Sequence, residues 1–249
     1  MPAISASSIG SPLDGYVGVD VVDLTADRLR DRGLSPRFLD RVFTDSERAR
    51  IRKAADPVTE TWQLWASKEA AFKVVTKLLG AAPVFEHRAF QVTDAPGSPP
   101  TEVQYGDVRV ALTARADAEH VVVHAWNDPS SLVMVSEMGQ DEAQDILDFR
   151  EPFDAWCGER FSPEEREALH SRASAFVRLL ARRDVAQFLD LDEERLSIRA
   201  GPGTTGRRPP YLYVDGRESP FMDVSFSHHG NRLAWALTLP WTGSFLPGS

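Results

Sequence analysis

Hydrophobic and polar positions along this chain fall into two successive groups that share one coarse grammar. Residues 16–24 (Tyr-Val-Gly-Val-Asp-Val-Val-Asp-Leu) are rich in β-branched side chains and predict a buried strand. Ser35-Pro36 offers an N-cap followed by a proline at the first helical position, which opens a helix through Phe38, Val42 and Phe43. Over residues 61–79, Trp62, Trp65, Ala66, Phe72, Val75 and Leu79 recur near the helical period, the strongest helical signal in the chain. Residues 85–93, 102–113 and 119–126 then read as strands separated by turn-rich segments. Asn127-Asp128-Pro129-Ser130-Ser131 breaks the pattern, and an acidic stretch follows. Ser162-Pro163-Glu164-Glu165 starts a new helix with a cap, a proline and first-turn acids, and residues 169–189 carry it on through Phe176, Val177, Leu180, Val185 and Phe188. Strands are expected at 196–200, 210–214, 222–226 and 233–239. Helix plus short strands in each half, without regular strand–helix alternation, predicts an α+β fold.

The 249 residues are 42% hydrophobic and 26% charged, enough to build a core. No stretch approaches ~20 consecutive apolar residues, so no membrane span is expected. The first residues lack a basic region followed by an apolar run, so no signal peptide is expected either. One cysteine, Cys157, excludes an internal disulfide and a four-cysteine zinc site, and it fits a reducing compartment; a cytoplasmic protein is the expectation. A net charge of -9 argues against nucleic acid as a partner. That charge is uneven. Residues 28–53 hold eight Arg and one Lys against four acids, net +5, whereas residues 137–167 hold eleven acids against three Arg, net -8. Charge alone reads as solvated helix faces with internal ion pairs.

The residues that carry chemistry begin with Gly18-Val19-Asp20-Val21-Val22-Asp23 and, further on, Trp65-Ala66-Ser67-Lys68-Glu69-Ala70-Ala71-Phe72-Lys73. On a strand, Asp20 and Val22 share a face and Asp23 takes the other. On a helix, Glu69 and Lys73 share a face. Asp20 with Glu69 makes a sparse carboxylate site of the kind that suits magnesium, which keeps waters and binds substrate phosphates. Lys68 and Lys73 flank it with positive charge. Taken singly, each piece reads as a buried aspartate satisfied by backbone amides and an ordinary Glu–Lys helix pair. Other signals are weaker. Gly201-x-Gly203-x-x-Gly206 is followed by Pro209-Pro210 where a dinucleotide-binding helix should start, and His120 and His124 fall in an alternating strand rather than at zinc-binding helical spacing.

Together, the two motifs resemble the 4'-phosphopantetheinyl transferase superfamily, which pairs a Gly-hydrophobic-Asp strand with a Trp-x-x-Lys-Glu-Ala-x-x-Lys helix. The Phe43-Thr44-Asp45-Ser46-Glu47 step between them resembles that family's Phe-Ser/Thr-x-x-Glu. Further on, Gly206-Arg207-Arg208-Pro209 is similar to its Gly-Lys/Arg-Pro segment and Ser227-His228 to its Ser-His strand end. The helix around Arg172 is similar to the one whose arginine meets the coenzyme A 3'-phosphate in surfactin-type members. The order departs from those members, whose Gly-Lys-Pro and Ser-His half comes first, as though this chain were circularly permuted. They also carry an acid at the position of Val22.

The resemblance implies a pseudo-dimeric fold of two α+β halves. Residues 1–13 would be a disordered tail, 14–126 the metal-binding half, 127–159 an acidic linker and 160–249 the coenzyme A-binding half. It implies transfer of the 4'-phosphopantetheine arm of coenzyme A to a serine of an apo acyl or peptidyl carrier protein, releasing 3',5'-ADP. Mg2+, with Mn2+ as an alternative, would be held by Asp20 and Glu69. Glu69, Lys73 and Asp20 would be catalytic; Lys68, Lys73, Arg172, Arg207, Arg208, Ser227 and His228 would contact the coenzyme. The carrier would dock on Arg37, Arg41 and Arg48 of a monomer. The alternative reading is a non-catalytic protein of this descent that binds a carrier or coenzyme A without turnover.

Overall fold

The computed structural model describes residues 15–26, 29–84, 86–94, 98–201, 209–220 and 222–239. The first group of elements is β1 (Val17–Asp23), α1 (Leu29–Gly33), α2 (Pro36–Val42), α3 (Asp45–Lys53), α4 (Pro57–Leu78), β2 (Phe90–Val92), β3 (Glu102–Tyr105), β4 (Val108–Ala116) and β5 (His120–Trp126). The second is β6 (Leu132–Gly139), α5 (Gln140–Ile146), α6 (Phe153–Arg160), α7 (Pro163–Arg166), α8 (Arg172–Leu189), β7 (Leu196–Ala200), β8 (Pro210–Val214), β9 (Arg217–Glu218), β10 (Val224–His229) and β11 (Arg232–Leu239). The fold is α+β, as the hydrophobic pattern predicted.

In the first group, strands in the order β1-β5-β4-β3-β2 form an antiparallel sheet with α4 laid across it. Asp56 caps α4 by accepting from the N–H groups of Val58 and Thr59, and Pro57 fills the position where a missing N–H costs nothing. The helix buries Trp62, Leu64, Ala66, Ala70, Ala71, Val74 and Val75 against the sheet. Its small residues let the backbones meet closely. A Cβ at Gly18 would lie 2.0 Å from the Ala70 carbonyl oxygen, so only glycine fits there.

In the second group, α8 packs on a sheet ordered β10-β11-β6 and on the smaller sheet β7-β8-β9. Ser171 caps α8, and Asp190 ends it in the left-handed region at φ 52°. The core here is Trp156, Phe176, Val177, Leu180, Ile198, Leu212, Leu233 and Leu237 with their neighbours.

The expected linker is corrected. Within 127–159, residues 132–139 form β6, which pairs along its whole length with β11, and α5 and α6 contribute Ala143 and Trp156 to the second core. The acids are mostly exposed, and the segment is held by the pairing of β6 with β11, by Met134 packing on the second core and by Val133 and Val135 packing on the seam beside β1. The expected tail at 1–13 lies outside the described residues.

The joint between the two groups decides where the site forms. β1 is an edge strand, and its outward N–H groups would be an open invitation to another chain. Four of them are instead capped by alternate side chains of β10 and the residue before it. Val17 N–H donates to Asp223 Oδ2 (2.7 Å), Val19 to Ser225 Oγ (3.0 Å), Val21 to Ser227 Oγ (3.2 Å) and Asp23 to His229 Nδ1 (3.1 Å). Beneath this ladder, Val17, Val19, Val21 and Val122 pack against Ala234 and Ala236. Lys77 of α4 locks one end, donating to Asp223 Oδ2 (2.7 Å), Val17 O (2.9 Å) and Val224 O (2.7 Å). Burial lowers the Lys77 pKa and raises that of Asp223, and their attraction opposes both shifts.

Candidate active site

Asp20 lies on the β1 face turned toward α4, with 9% of its surface exposed. Two donors converge on its Oδ1: Lys73 Nζ at 3.1 Å and Ser227 Oγ at 2.8 Å. Among the described residues, Oδ2 carries no hydrogen bond. Lys73 also donates to Val19 O (2.5 Å) and Phe226 O (3.3 Å), so its three protons meet three acceptors drawn from β1 and β10. One carboxylate thus gathers a helix lysine from one half and a strand serine from the other.

Glu69 sits one turn before Lys73 on α4. Because Lys77 meets Val17 and Lys73 meets Val19, α4 runs opposite to β1, and Glu69 lies further toward the Val22 end of the strand. Val22 shares the Asp20 face and is buried in the core, so no carboxylate stands there. Glu69 Oε1 lies 3.9 Å from His87 Nε2, and the His87 ring stacks on Trp65 with centroids 4.6 Å apart. Burial, then the charges of Lys68 and Arg41, push the His87 pKa down to about 4, leaving a neutral imidazole beside Glu69 near pH 7. His87 was not foreseen: residues 85–93 read as a strand, within which only Phe90–Val92 forms one among the described residues, and a lone histidine there carries no pattern.

The structure separates several residues that the motifs suggested as one set. Lys68 is corrected from coenzyme contact to core support: fully buried, it donates to Glu47 Oε2 (2.9 Å), His87 O (3.0 Å) and Phe90 O. Burial lowers its pKa, and Glu47 opposes that. Glu47 earns its place three times over, since it closes the capping box with Thr44 at the start of α3, accepts from Val92 N–H (3.0 Å) and binds Lys68. Ser227 points at Asp20, whereas His228, next on the strand, points to the opposite face and is exposed. Arg207 and Arg208 lie outside the described residues.

Arg172 starts α8 and lies over the Phe149 ring (4.3 Å), with Nη1 3.2 Å from Gln144 Oε1. It lines a cleft of about 400 Å³ with Gln140, Asp141, Phe176, Gly230 and Asn231. Asp23 reaches the same turn, accepting from Asn231 N–H (2.8 Å) and from the Thr25 hydroxyl (2.6 Å) and N–H (2.9 Å). Burial works to raise the Asp23 pKa, but those hydrogen bonds and Arg232 outweigh it and the value falls. Asp23 thereby clamps the turn at Asn231, on the strand face opposite Asp20. Gly230, at φ 54°, is required beneath it, since a Cβ would lie 2.2 Å from Asp23 Oδ2.

Of the expected docking residues, Arg37 and Arg41 are exposed on α2, while Arg48 is already paired with Asp40 and Asp45. The ladder residues Asp223, Ser225 and His229 were also missed. Their signal was present as a period-two polar pattern through 223, 225, 227 and 229.

The described residues gather no cluster of three or more His, Cys, Asp or Glu able to hold a metal. What they offer a cation is sparser: the unpartnered Oδ2 of Asp20 and the carboxylate of Glu69. Two hard oxygen donors, with the rest of the shell left to water and substrate oxygens, fit magnesium.

Comparison with known proteins reaches the same strand and helix. The family model described as 4'-phosphopantetheinyl transferase superfamily matches residues 16–125. A holo-acyl-carrier-protein synthase of Solidesulfovibrio magneticus is 31% identical over 121 residues, covering 49% of this chain and 96% of that protein. Two proteins of the same name from strains of Rhodopseudomonas palustris are 29% identical over 130 residues, covering 48% of this chain and 88% of theirs. Those relatives are matched along nearly their whole length, and the matched region contains Asp20, Glu69 and Lys73 in the arrangement just described. The chain belongs to the 4'-phosphopantetheinyl transferase superfamily.

Proposed function

We propose that this protein transfers the 4'-phosphopantetheine arm of coenzyme A to a serine hydroxyl of an apo carrier protein, releasing 3',5'-ADP. The observation that carries this reading is the Asp20 carboxylate, held on one oxygen by Lys73 and Ser227 and open on the other, with Glu69 one helical turn before Lys73 on α4. Family membership and the name of the relatives, holo-acyl-carrier-protein synthase, support the substrate class.

In the reaction, the serine oxygen bonds to the phosphorus on the pantetheine side of the coenzyme pyrophosphate. The bond from that phosphorus to the bridging oxygen breaks, and the oxygen leaves with 3',5'-ADP. Asp20 and Glu69 would hold a divalent cation, magnesium or manganese, which would supply neutralisation of charge on the pyrophosphate oxygens. Glu69 takes the serine proton, directly or through one water. Lys73 donates to Asp20 and ties the helix to both strands. Arg172 binds the 3'-phosphate, and Arg207 or Arg208 takes the family lysine's role at the coenzyme phosphates. Arg37 and Arg41 attract an acidic carrier to α2. The two halves, 14–126 and 160–249 with the preceding segment packed into the latter, work within a single chain in the reverse of the surfactin-type order.

The test is intact-mass spectrometry of apo carrier proteins incubated with the protein, coenzyme A and Mg2+. A gain of one phosphopantetheine arm that is absent with Glu69→Gln supports the reading. Coenzyme A binding without any gain on fatty-acid, polyketide and peptide carriers would leave a non-catalytic binding protein.

A further inference from the structure

We infer that Ser227 is a positioning residue for Asp20, so that the second half of the chain sets the geometry of a metal ligand carried by the first. The inference rests on the reading above, in which Asp20 holds the cation, and it assigns Ser227 to that carboxylate and not to the coenzyme.

The hydrogen-bond directions are fixed by chemistry. The Val21 N–H, 3.2 Å from Ser227 Oγ, can only donate, so it occupies a lone pair of the hydroxyl. The single hydroxyl proton is then free for Asp20 Oδ1, 2.8 Å away, which as a carboxylate oxygen can only accept. Lys73 aims at that same oxygen. With both donors on Oδ1, rotation of the carboxylate is arrested and Oδ2 is the oxygen offered.

Register makes this specific to position 227. The ladder places Asp223, Ser225, Ser227 and His229 against β1 at every second residue, so a slip of one residue would set Phe226 or His228 against Asp20 and expel the hydroxyl. Without the hydroxyl, Oδ1 keeps Lys73 alone, the Val21 N–H loses its acceptor, and the carboxylate is free to turn both oxygens toward the ammonium. A cation then competes with Lys73 for the same group. Loss of such a supporting partner typically weakens metal affinity roughly 10–100-fold.

The experiment measures free Mn2+ by electron paramagnetic resonance in titrations of the full chain with coenzyme A present. Coenzyme A affinity is measured separately, by calorimetry in EDTA. Ser227→Ala and the near-isosteric Ser227→Cys, a weak donor, should weaken Mn2+ binding roughly 10–100-fold, while Ser227→Thr, which keeps the hydroxyl, stays within about threefold of wild type. Metal-free coenzyme A affinity should be the same in all four proteins. Unchanged Mn2+ affinity in both the Ala and Cys variants, or weakened coenzyme A binding in EDTA, overturns the assignment of Ser227. Asp20→Asn separates the two levels. If it abolishes Mn2+ binding while the Ser227 variants do not weaken it, only this inference fails; if it leaves Mn2+ binding intact, the metal reading beneath it fails as well.

Discussion

Replacing Lys77 with methionine tests whether the two halves are held together as described. Methionine has the length to fill the lysine channel but no protons to give. Asp223 would keep the backbone N–H groups of Val17 and Val224 but lose its countercharge, and the carbonyls of Val17 and Val224 would each lose a donor at a site shut off from water. Breaking a buried pair by removing one partner costs about 3–5 kcal/mol. With a urea slope of about 2–3 kcal/mol per molar, that lowers the midpoint by about 1–2 M. The pH dependence carries a definite sign. Burial raises the Asp223 pKa above its ordinary 3.8, and removing Lys77, which opposes that rise, lifts it further. The folded variant therefore holds a proton that the unfolded chain releases. The stability tied to that proton is fully present below the unfolded pKa and is lost as pH rises through the folded one. Urea unfolding followed by tryptophan fluorescence should show a smaller deficit at about pH 5 than at about pH 8. A midpoint within about 0.3 M of wild type at both values would refute the reasoning, since loss of the buried ammonium that pairs with Asp223 should cost several-fold more.

Gly18→Ala forces α4 away from β1, because the new Cβ meets the Ala70 carbonyl and not a side chain that can swing aside; a loss of about 1–3 kcal/mol, read as a lower thermal midpoint, is expected. Glu47→Gln leaves the Lys68 ammonium buried without its carboxylate and should destabilise by about 3–5 kcal/mol while leaving the KM for coenzyme A unchanged in whatever protein remains folded. Arg172→Ala should raise the KM for coenzyme A more than that for dephospho-coenzyme A; equal effects would remove Arg172 from the 3'-phosphate.

Much of this arrangement is legible in the sequence where one periodicity governs. The β-branched run of β1 and the helical spacing of α4 both correspond to observed elements, and strand alternation correctly put Asp23 on the face away from Asp20. Legibility failed where charge masked an apolar signal. In α3, Ile51 is the only aliphatic side chain larger than alanine among nine residues, so no period shows, and the helix depends on the Thr44–Glu47 capping box and on burial of Arg50. In β6, the acids around Leu132-Val133-Met134-Val135 drew the segment toward a linker, although its apolar residues pair it with β11. The roles of the lysines were hidden for another reason. Lys68, Lys73 and Lys77 stand on one helix at spacings that cannot distinguish a phosphate contact from a buried tie to backbone carbonyls. That distinction is made by partners distant in sequence, Glu47 and Phe90 for Lys68, Val19 and Phe226 for Lys73, and Asp223 for Lys77.

The account stands or falls on where the cation and the coenzyme pyrophosphate bind. A crystal structure with coenzyme A and Mn2+, with the metal located by its anomalous scattering, measures this directly. The account predicts one metal peak within about 2.0–2.3 Å of Asp20 Oδ2 and of a Glu69 oxygen, with pyrophosphate oxygens and water completing the shell and Ser227 Oγ still on Asp20 Oδ1. A metal bound away from both carboxylates, with the pyrophosphate seated elsewhere, would contradict it.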